Sequence, residues 1–317
     1  MKTKLWEEMG VTYPIVQGAM AWVADADLAS AVSNAGALGV IGTGHDSVEI
    51  VQQKVEKMQA LTDKPFAVNV MLLNAHVDEL VDYLCQSGVK IVTTGAGSPA
   101  KYMKRFKAAG IKVIPVVASV ALAKRMAREG VDALIVEGME SGGHIGKLTT
   151  MALVPQVVDA VDIPVIAAGG IGDGRGMAAA LMLGASGIQV GTRFVVAKES
   201  NAHPNFKEKI IKAKDIDTVI TGESTGHPVR VLRNKLTKKY LKVEHEEAAK
   251  DQPDWTKFED LAKGALKRAV VDGDVDNSSL MAGQIAGLIH QEETCEEIIQ
   301  SYMQECRELI QQHASMN

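Results

Sequence analysis

The stretch Glu137-Gly138-Met139-Glu140-Ser141-Gly142-Gly143-His144-Ile145-Gly146-Lys147-Leu148 gathers the residue types that could do chemistry. Four glycines and one histidine follow the apolar run 131–136, which reads as a buried strand delivering this loop to its carboxyl end. Consecutive Gly142 and Gly143 lack a Cβ, so they permit positive φ and let main-chain N–H groups approach a flat or anionic ligand. His144 would hang at that ligand's edge, where an imidazole that titrates near neutrality can donate a proton or a hydrogen bond. A solvated loop histidine is the other reading, because glycine-rich loops are also ordinary turns.

Loops of this kind recur after other apolar runs. They carry Gly18-Ala19-Met20, Gly42-Thr43-Gly44, Asn69, Thr94-Gly95-Ala96-Gly97, Gly169-Gly170 and Gly191-Thr192. The runs that would position them are Pro14-Ile-Val-Gln17, Leu38-Gly-Val-Ile41, Phe66-Ala-Val-Asn-Val70, Lys90-Ile-Val-Thr93, Ile111-Lys-Val-Ile-Pro115, Asp132-Ala-Leu-Ile-Val136, Ile163-Pro-Val-Ile-Ala167 and Gly187-Ile-Gln-Val190. Between them lie helical patterns such as Val48, Val51, Val55, Met58 and Val77, Leu80, Val81, Leu84, apolar on one face. Strands separated by helices run parallel. Eight such units between residues 14 and 190 predict an α/β fold, a (β/α)8 TIM barrel, with its site at the strand C-terminal ends. An open doubly wound sheet is the rival. The dinucleotide fingerprint GxGxxG is absent, however, and Gly146-Lys147 precedes Leu148 where a phosphate-binding P-loop needs Ser or Thr. In a barrel, the loops around Gly169-Gly170 and Gln189-Val-Gly191-Thr192 fall at the seventh and eighth strand ends, where phosphate is commonly held by backbone N–H groups and a helix N-terminus. Tight turning would use some of the same glycines.

The 317 residues, 46% hydrophobic and 23% charged, suit a folded protein with one large core and an appendage. A net charge of −5 argues against a general nucleic-acid binder. No run reaches the length of a membrane span, and the first residues lack the apolar centre of a signal peptide, so a cytoplasmic location is expected. Cys85, Cys295 and Cys306 form no CxxC pair and suggest neither a disulfide framework nor a zinc site. After Val196 the alternation stops. A basic block of Arg230, Arg233, Lys235, Lys238, Lys239 and Lys242 is followed by Glu244, Glu246 and Glu247, and residues 255–268 read as helical. Thr294-Cys-Glu-Glu297 is a capping box opening a helix with Ile298, Ile299, Tyr302, Met303, Cys306, Leu309 and Ile310 on one face. That face is expected to return to the barrel. The predicted division is a barrel of residues 1–197 and 286–317 with a smaller domain, 198–285, inserted late in the chain.

Assembled, these residues resemble the FMN-dependent enoyl-acyl-carrier-protein reductase II family, within the nitronate monooxygenase superfamily, essentially end to end. The resemblance is carried by Pro14-Ile-Val-Gln-Gly-Ala-Met-Ala-Trp22, Asn69-Val-Met-Leu-Leu73, Thr93-Thr-Gly-Ala-Gly97, the loop at 137–146, Ile166-Ala-Ala-Gly-Gly-Ile171, Gln189-Val-Gly-Thr-Arg-Phe194, Glu199-Ser-Asn-Ala-His203 and Met281-Ala-Gly-Gln-Ile-Ala-Gly287. It implies a flavin barrel with a cap, a homodimer and, in some members, a monovalent cation. Gly18, Ala19 and Met20 are then expected along the isoalloxazine, with Asn69 and Glu137 approaching the flavin and Gly142 and Gly143 lining its pocket. Gly169, Gly170, Gln189, Gly191 and Thr192 are expected at the phosphate loops, and His144 at the family's candidate catalytic histidine. Ala19 departs from the glycine of many relatives, and its methyl would crowd the ring. The implied reaction has NADH or NADPH reduce FMN, after which hydride passes to the β-carbon of a trans-2-enoyl thioester on acyl carrier protein, an acidic partner for which the basic block is the candidate dock. Nitronate oxidation with O2 is one alternative, and a noncatalytic flavin-binding protein is another.

Overall fold

The computed structural model describes residues 4–314. The ends of the predicted barrel segments, residues 1–3 and 315–317, lie outside the described residues. Eight parallel strands form one sheet: β1 (Ile15–Gln17), β2 (Gly39–Gly42), β3 (Phe66–Met71), β4 (Ile91–Gly95), β5 (Lys112–Val117), β6 (Leu134–Glu137), β8 (Val165–Ala168) and β9 (Gly187–Val190). Their spatial order is β1-β9-β8-β6-β5-β4-β3-β2, and β1 meets β2 through a Val16–Leu38 bridge, with Gln17 N donating to Leu38 O at 2.9 Å and Leu38 N to Ile15 O at 2.9 Å. The sheet thus closes into the predicted (β/α)8 barrel.

Period-two alternation sorts the strand side chains into two cores. One set, including Val16, Leu38, Val40, Ala67, Ile91, Ile114, Ala133, Ile135 and Ile166, fills the barrel interior with Leu5, Trp6 and Met9 of the first helix, Lys4–Met9. That helix plugs the floor. Trp6 Nε1 donates to Ser186 O at 2.7 Å, and a Cβ on Gly187 would lie 2.4 Å from the Trp6 ring, so glycine there makes room for the indole. The other set packs outward against the helices.

The return helices start where their caps put them. Asp25 accepts from Leu28 N at 3.0 Å, and Asp173 accepts from Arg175 N at 3.0 Å and Gly176 N at 3.2 Å. The capping box at Thr294 forms, with Glu297 N donating to Thr294 Oγ1 at 3.1 Å and Thr294 N to Glu297 Oε2 at 2.7 Å. The helix that follows, Cys295–His313, lays Ile298, Ile299, Tyr302 and Cys306 against the barrel helices Ala26–Asn34 and Gly174–Met182. It also grips the loop after β8: Tyr302 Oη donates to Ile171 O at 3.2 Å and Gly174 N to Glu305 Oε2 at 2.7 Å.

A second, three-stranded antiparallel sheet joins β7 (Gly143–His144) to β11 (Val229–Leu232), which pairs in turn with β10 (Thr218–Thr221). The span 255–268 is two helices, Thr256–Ala262 and Ala265–Val270, because Gly264 takes φ +64° between them. All three cysteines are free, and no helix among the described residues is long and apolar enough to cross a membrane.

Candidate functional site

Alternation extends the apolar interior to its rim. Two residues beyond Val16, Ala67, Ile91 and Ile135 stand Gly18, Asn69, Thr93 and Glu137, and Gln189 stands two beyond Gly187, whose open side meets Trp6. By parity all five face inward. Register aligns them into a row, with Asn69 beside Thr93 and Glu137 beside Ala168 beside Gln189. The rim above an apolar barrel is therefore polar and half-buried. Asn69 Nδ2 donates to Thr93 Oγ1 at 2.9 Å, which leaves its carbonyl oxygen for a ligand. Burial pushes the Glu137 carboxyl up to about 7, the nearby Ser141 hydroxyl opposing the rise. A carboxyl in that state can donate a hydrogen bond near neutrality.

The glycines divide into two kinds. At Gly142 a Cβ would lie 2.6 Å from the Ala282 carbonyl carbon, and at Gly169 (φ +88°) it would lie 2.7 Å from Gly138 O. These two are demanded by chain packing. Gly170 takes φ +73° and Gly143 φ +81°, so backbone conformation asks for glycine at both. Gly18, Gly95 and Gly191 are different. A Cβ would meet nothing closer than 3.5 Å at Gly18, only Met20 Sδ at 3.6 Å at Gly191, and no atom within 4 Å at Gly95, and none of the three has positive φ in the strained range. The protein does not need glycine there, so the space a side chain would take is free for a ligand over the rim.

The phosphate-loop candidates meet the same rim. Gly18 N donates to Val190 O at 2.8 Å, and Thr192 Oγ1 accepts from Gly283 N at 2.9 Å. Among the described residues no protein group accepts from the N–H of Gly170 or Gly191. The helix opening at Thr192 runs only to Val195, so anion attraction would come from these N–H groups and little from a helix dipole. Ala19 packs its methyl against the interior cluster. These features fit a flat, anionic cofactor such as FMN: an open floor of small residues, a polar row at its edge and unengaged main-chain donors.

The loop after β6 is pinned at three places. The Glu140 carboxylate accepts from Thr150 N at 2.9 Å and from Thr150 Oγ1 at 3.0 Å, and it backs Gly170. Arg230 Nε donates to Met139 O at 3.0 Å, and Ile145 N donates to Pro228 O at 3.1 Å. His144 lies on β7 opposite Val229 and keeps much of its ring exposed. The cover it has, and next the charge of nearby His227, hold its pKa below the usual imidazole value.

The basic block is divided: Arg233, Lys235, Lys238, Lys239 and Lys242 stay exposed, and Arg230 alone is withdrawn. Arg230 is 4% exposed and serves the loop, also donating to Thr218 Oγ1 at 3.1 Å, because β11 turns it inward. Lys235 pairs with Asp276 at 2.7 Å and Lys242 with Glu246 at 3.8 Å. Glu244 and Glu247 are buried and accept from main-chain N–H groups, Glu244 from Gly222 and Ser224 and Glu247 from Asp254, and Glu247 pairs with Lys250, outside the block, at 2.6 Å. Charge counting along the sequence cannot see which of these side chains a strand or helix turns inward. Sequence reasoning also passed over His227, whose only signal was its place beside Pro228 ahead of an apolar run.

A groove of about 250 Å³ lined by residues including Tyr13, Asn34, Lys64 and Gln300 opens at the opposite, N-terminal end of the strands and touches none of these residues.

The profile of the nitronate monooxygenase family matches residues 2–83 and 75–305. The chain is similar to FabK from Thermotoga maritima, with 45% identity, all of both chains covered and a TM-score of 0.95. It is 34% identical, over 95% of each chain, to the (3aS,4S,5R,7aS)-5-hydroxy-7a-methyl-1-oxo-octahydro-1H-indene-4-carboxyl-CoA dehydrogenase of Mycobacterium tuberculosis. It is 33% identical to a probable nitronate monooxygenase of Staphylococcus saprophyticus, over 91% of this chain and 93% of that one. With the barrel, the polar rim and the full-length likeness in agreement, this chain belongs to the nitronate monooxygenase family of oxidoreductases.

Proposed function

We propose that the protein is an FMN-dependent enoyl-acyl-carrier-protein reductase that uses NADH. The observation that carries this reading is the 45% identity to FabK over the full chain, against 34% and 33% for the dehydrogenase and the probable nitronate monooxygenase. FMN, when bound, supplies the hydride transfer from nicotinamide to the β-carbon of the enoyl thioester that side chains cannot perform. The chain's own residues bind and orient. Gly18, Ala19 and Met20 would floor the ring, Asn69, Glu137 and Gln189 would meet its edge, and the N–H groups of Gly170 and Gly191 would take the phosphate. His144 holds a proton at the mouth, and because its pKa is lowered its imidazolium is a stronger acid than free histidine. The acyl carrier protein is the proposed donor of substrate, and a homodimer the proposed assembly.

Nitronate oxidation is the second reading, favoured by the family profile and the Staphylococcus relative. One comparison separates the two. Under anaerobic conditions NADH consumption should match crotonyl-thioester loss, and the yellow protein should take up little O2 with a nitronate. O2 uptake with the nitronate and no NADH use with the thioester would reverse the assignment. His144→Ala should keep its flavin and lose about 10²–10⁴-fold in thioester turnover. In the wild-type protein, turnover should fall as pH rises past a midpoint below the usual imidazole value, and that limb should vanish in the variant.

A further inference from the structure

His144 does not stand alone at the mouth. The β7–β11 pairing sets it opposite Val229, and the Ile145 N to Pro228 O bond of 3.1 Å fixes the chain just beyond, which brings the turn bearing His227 alongside. That turn is itself held, with His227 N donating to Gly222 O at 3.1 Å and Thr225 Oγ1 to Gly222 O at 2.8 Å. Both imidazoles remain exposed. We propose that His227 is the second proton-handling residue of this site, passing a proton from bulk water to His144.

The step balances simply. An N–H bond of the His144 imidazolium breaks and its proton forms a C–H bond with the electron pair at the substrate α-carbon. His144, now neutral, is recharged through His227, whose neutral ring takes a proton from solvent only after His144 has discharged and passes it on. No oxidant or reductant beyond the proposed reaction is needed. A charge on His227 lowers the pKa of His144, so the two rings communicate electrostatically. The other charged groups on the packed elements are Lys147, Arg230, Glu140 and Glu223. Lys147 is exposed on the same loop, Arg230 is directed to Met139 and Thr218, and the Glu140 and Glu223 carboxylates act on Arg230. Among the described residues, the His227 charge is the one that lowers the His144 pKa, after burial.

This inference rests on the reading of His144 as the proton carrier in thioester reduction, and its test is built to fail separately. The first measurement needs no turnover: proton NMR titration of the His144 ring in wild type and in His227→Gln. The His144 midpoint should move to higher pH in the variant, and an unmoved midpoint overturns the pairing. The second is kinetic, on the FMN-loaded enzyme. His227→Gln should lower kcat for crotonyl-thioester reduction about tenfold, below the range of a full general acid. Flavin content, thioester KM and anaerobic flavin reduction by NADH should stay as in wild type. Millimolar imidazole should restore part of the loss, and His144→Ala/His227→Gln should be no slower than His144→Ala. Additive losses in the double variant, or an equal loss in flavin reduction, would reduce His227 to a structural residue. If wild type fails to reduce the thioester at all, the functional reading falls, while the titration still decides whether the two rings interact.

Discussion

Glu137 shows how position alone changes what a residue is. In the sequence it is a carboxylate after a strand, equally suited to a surface. In the barrel it continues the inward face of Ile135, and withdrawal from water pushes its pKa up to about 7. A raised pKa means that the folded chain binds the proton more tightly than the unfolded chain. Stability linked to neutral Glu137 is therefore fully present below the ordinary carboxylate range and is lost as pH rises through about 7. Glu137→Gln, neutral throughout, should gain about 3 kcal/mol over wild type at pH 8 and less than about half a kcal/mol at pH 4.5. Denaturant unfolding of flavin-free protein at the two pH values checks it, and an advantage independent of pH would count against burial as the cause. The glycines teach the same lesson. In the sequence Gly142, Gly169 and Gly191 look alike. Only the atoms around each reveal that the first two are filled by neighbouring backbone and the third faces open space.

At the scale of elements, the barrel strands were legible because buried parallel strands are short apolar runs, and all eight lie within two residues of the runs read from the sequence. β7 was not. Two residues inside a glycine-rich loop have no period to detect, and their strand character comes from β11, far along the chain. Arg230 was misjudged for the same reason, since a strand inside a charge-rich stretch buries every second side chain whatever its charge. Loop function divides along the line drawn by the glycines. Gly191→Ala should leave thermal unfolding of the flavin-free protein almost unchanged yet empty much of the cofactor site. Gly142→Ala should destabilise by about 1–3 kcal/mol with or without flavin, because its methyl meets main chain that cannot move aside. Flavin absorbance per chain and thermal melts separate the two. Equal melting losses would show that Gly191 is structural after all.

Across the whole molecule, distant parts of the chain converge on the rim. The three-stranded sheet pins the loop of His144, while the Cys295–His313 helix grips the loop after β8. Arg193, 7% exposed beside Thr192, pairs with Glu293 and ties the loop after β9 to the chain just ahead of that helix. Buried pairs of this kind are costly to break, so these loops are held rather than loose. The floor plug has a consequence for how the protein is made. Trp6 leaves the ribosome well ahead of its acceptor at Ser186, which follows 180 positions later. At about 5–20 residues per second, Leu5, Trp6 and Met9 stay uncovered for on the order of ten to forty seconds of translation. During that interval the amino-terminal helix is a greasy segment awaiting its socket, the kind of surface nascent-chain chaperones shelter. With Trp22 and Trp255 replaced by Phe, Trp6 emission should stay in the solvent range in stalled chains ending before Gly187 and shift to the blue in released full-length protein. A blue shift in a chain ending at residue 170 would mean that another partner houses the indole first.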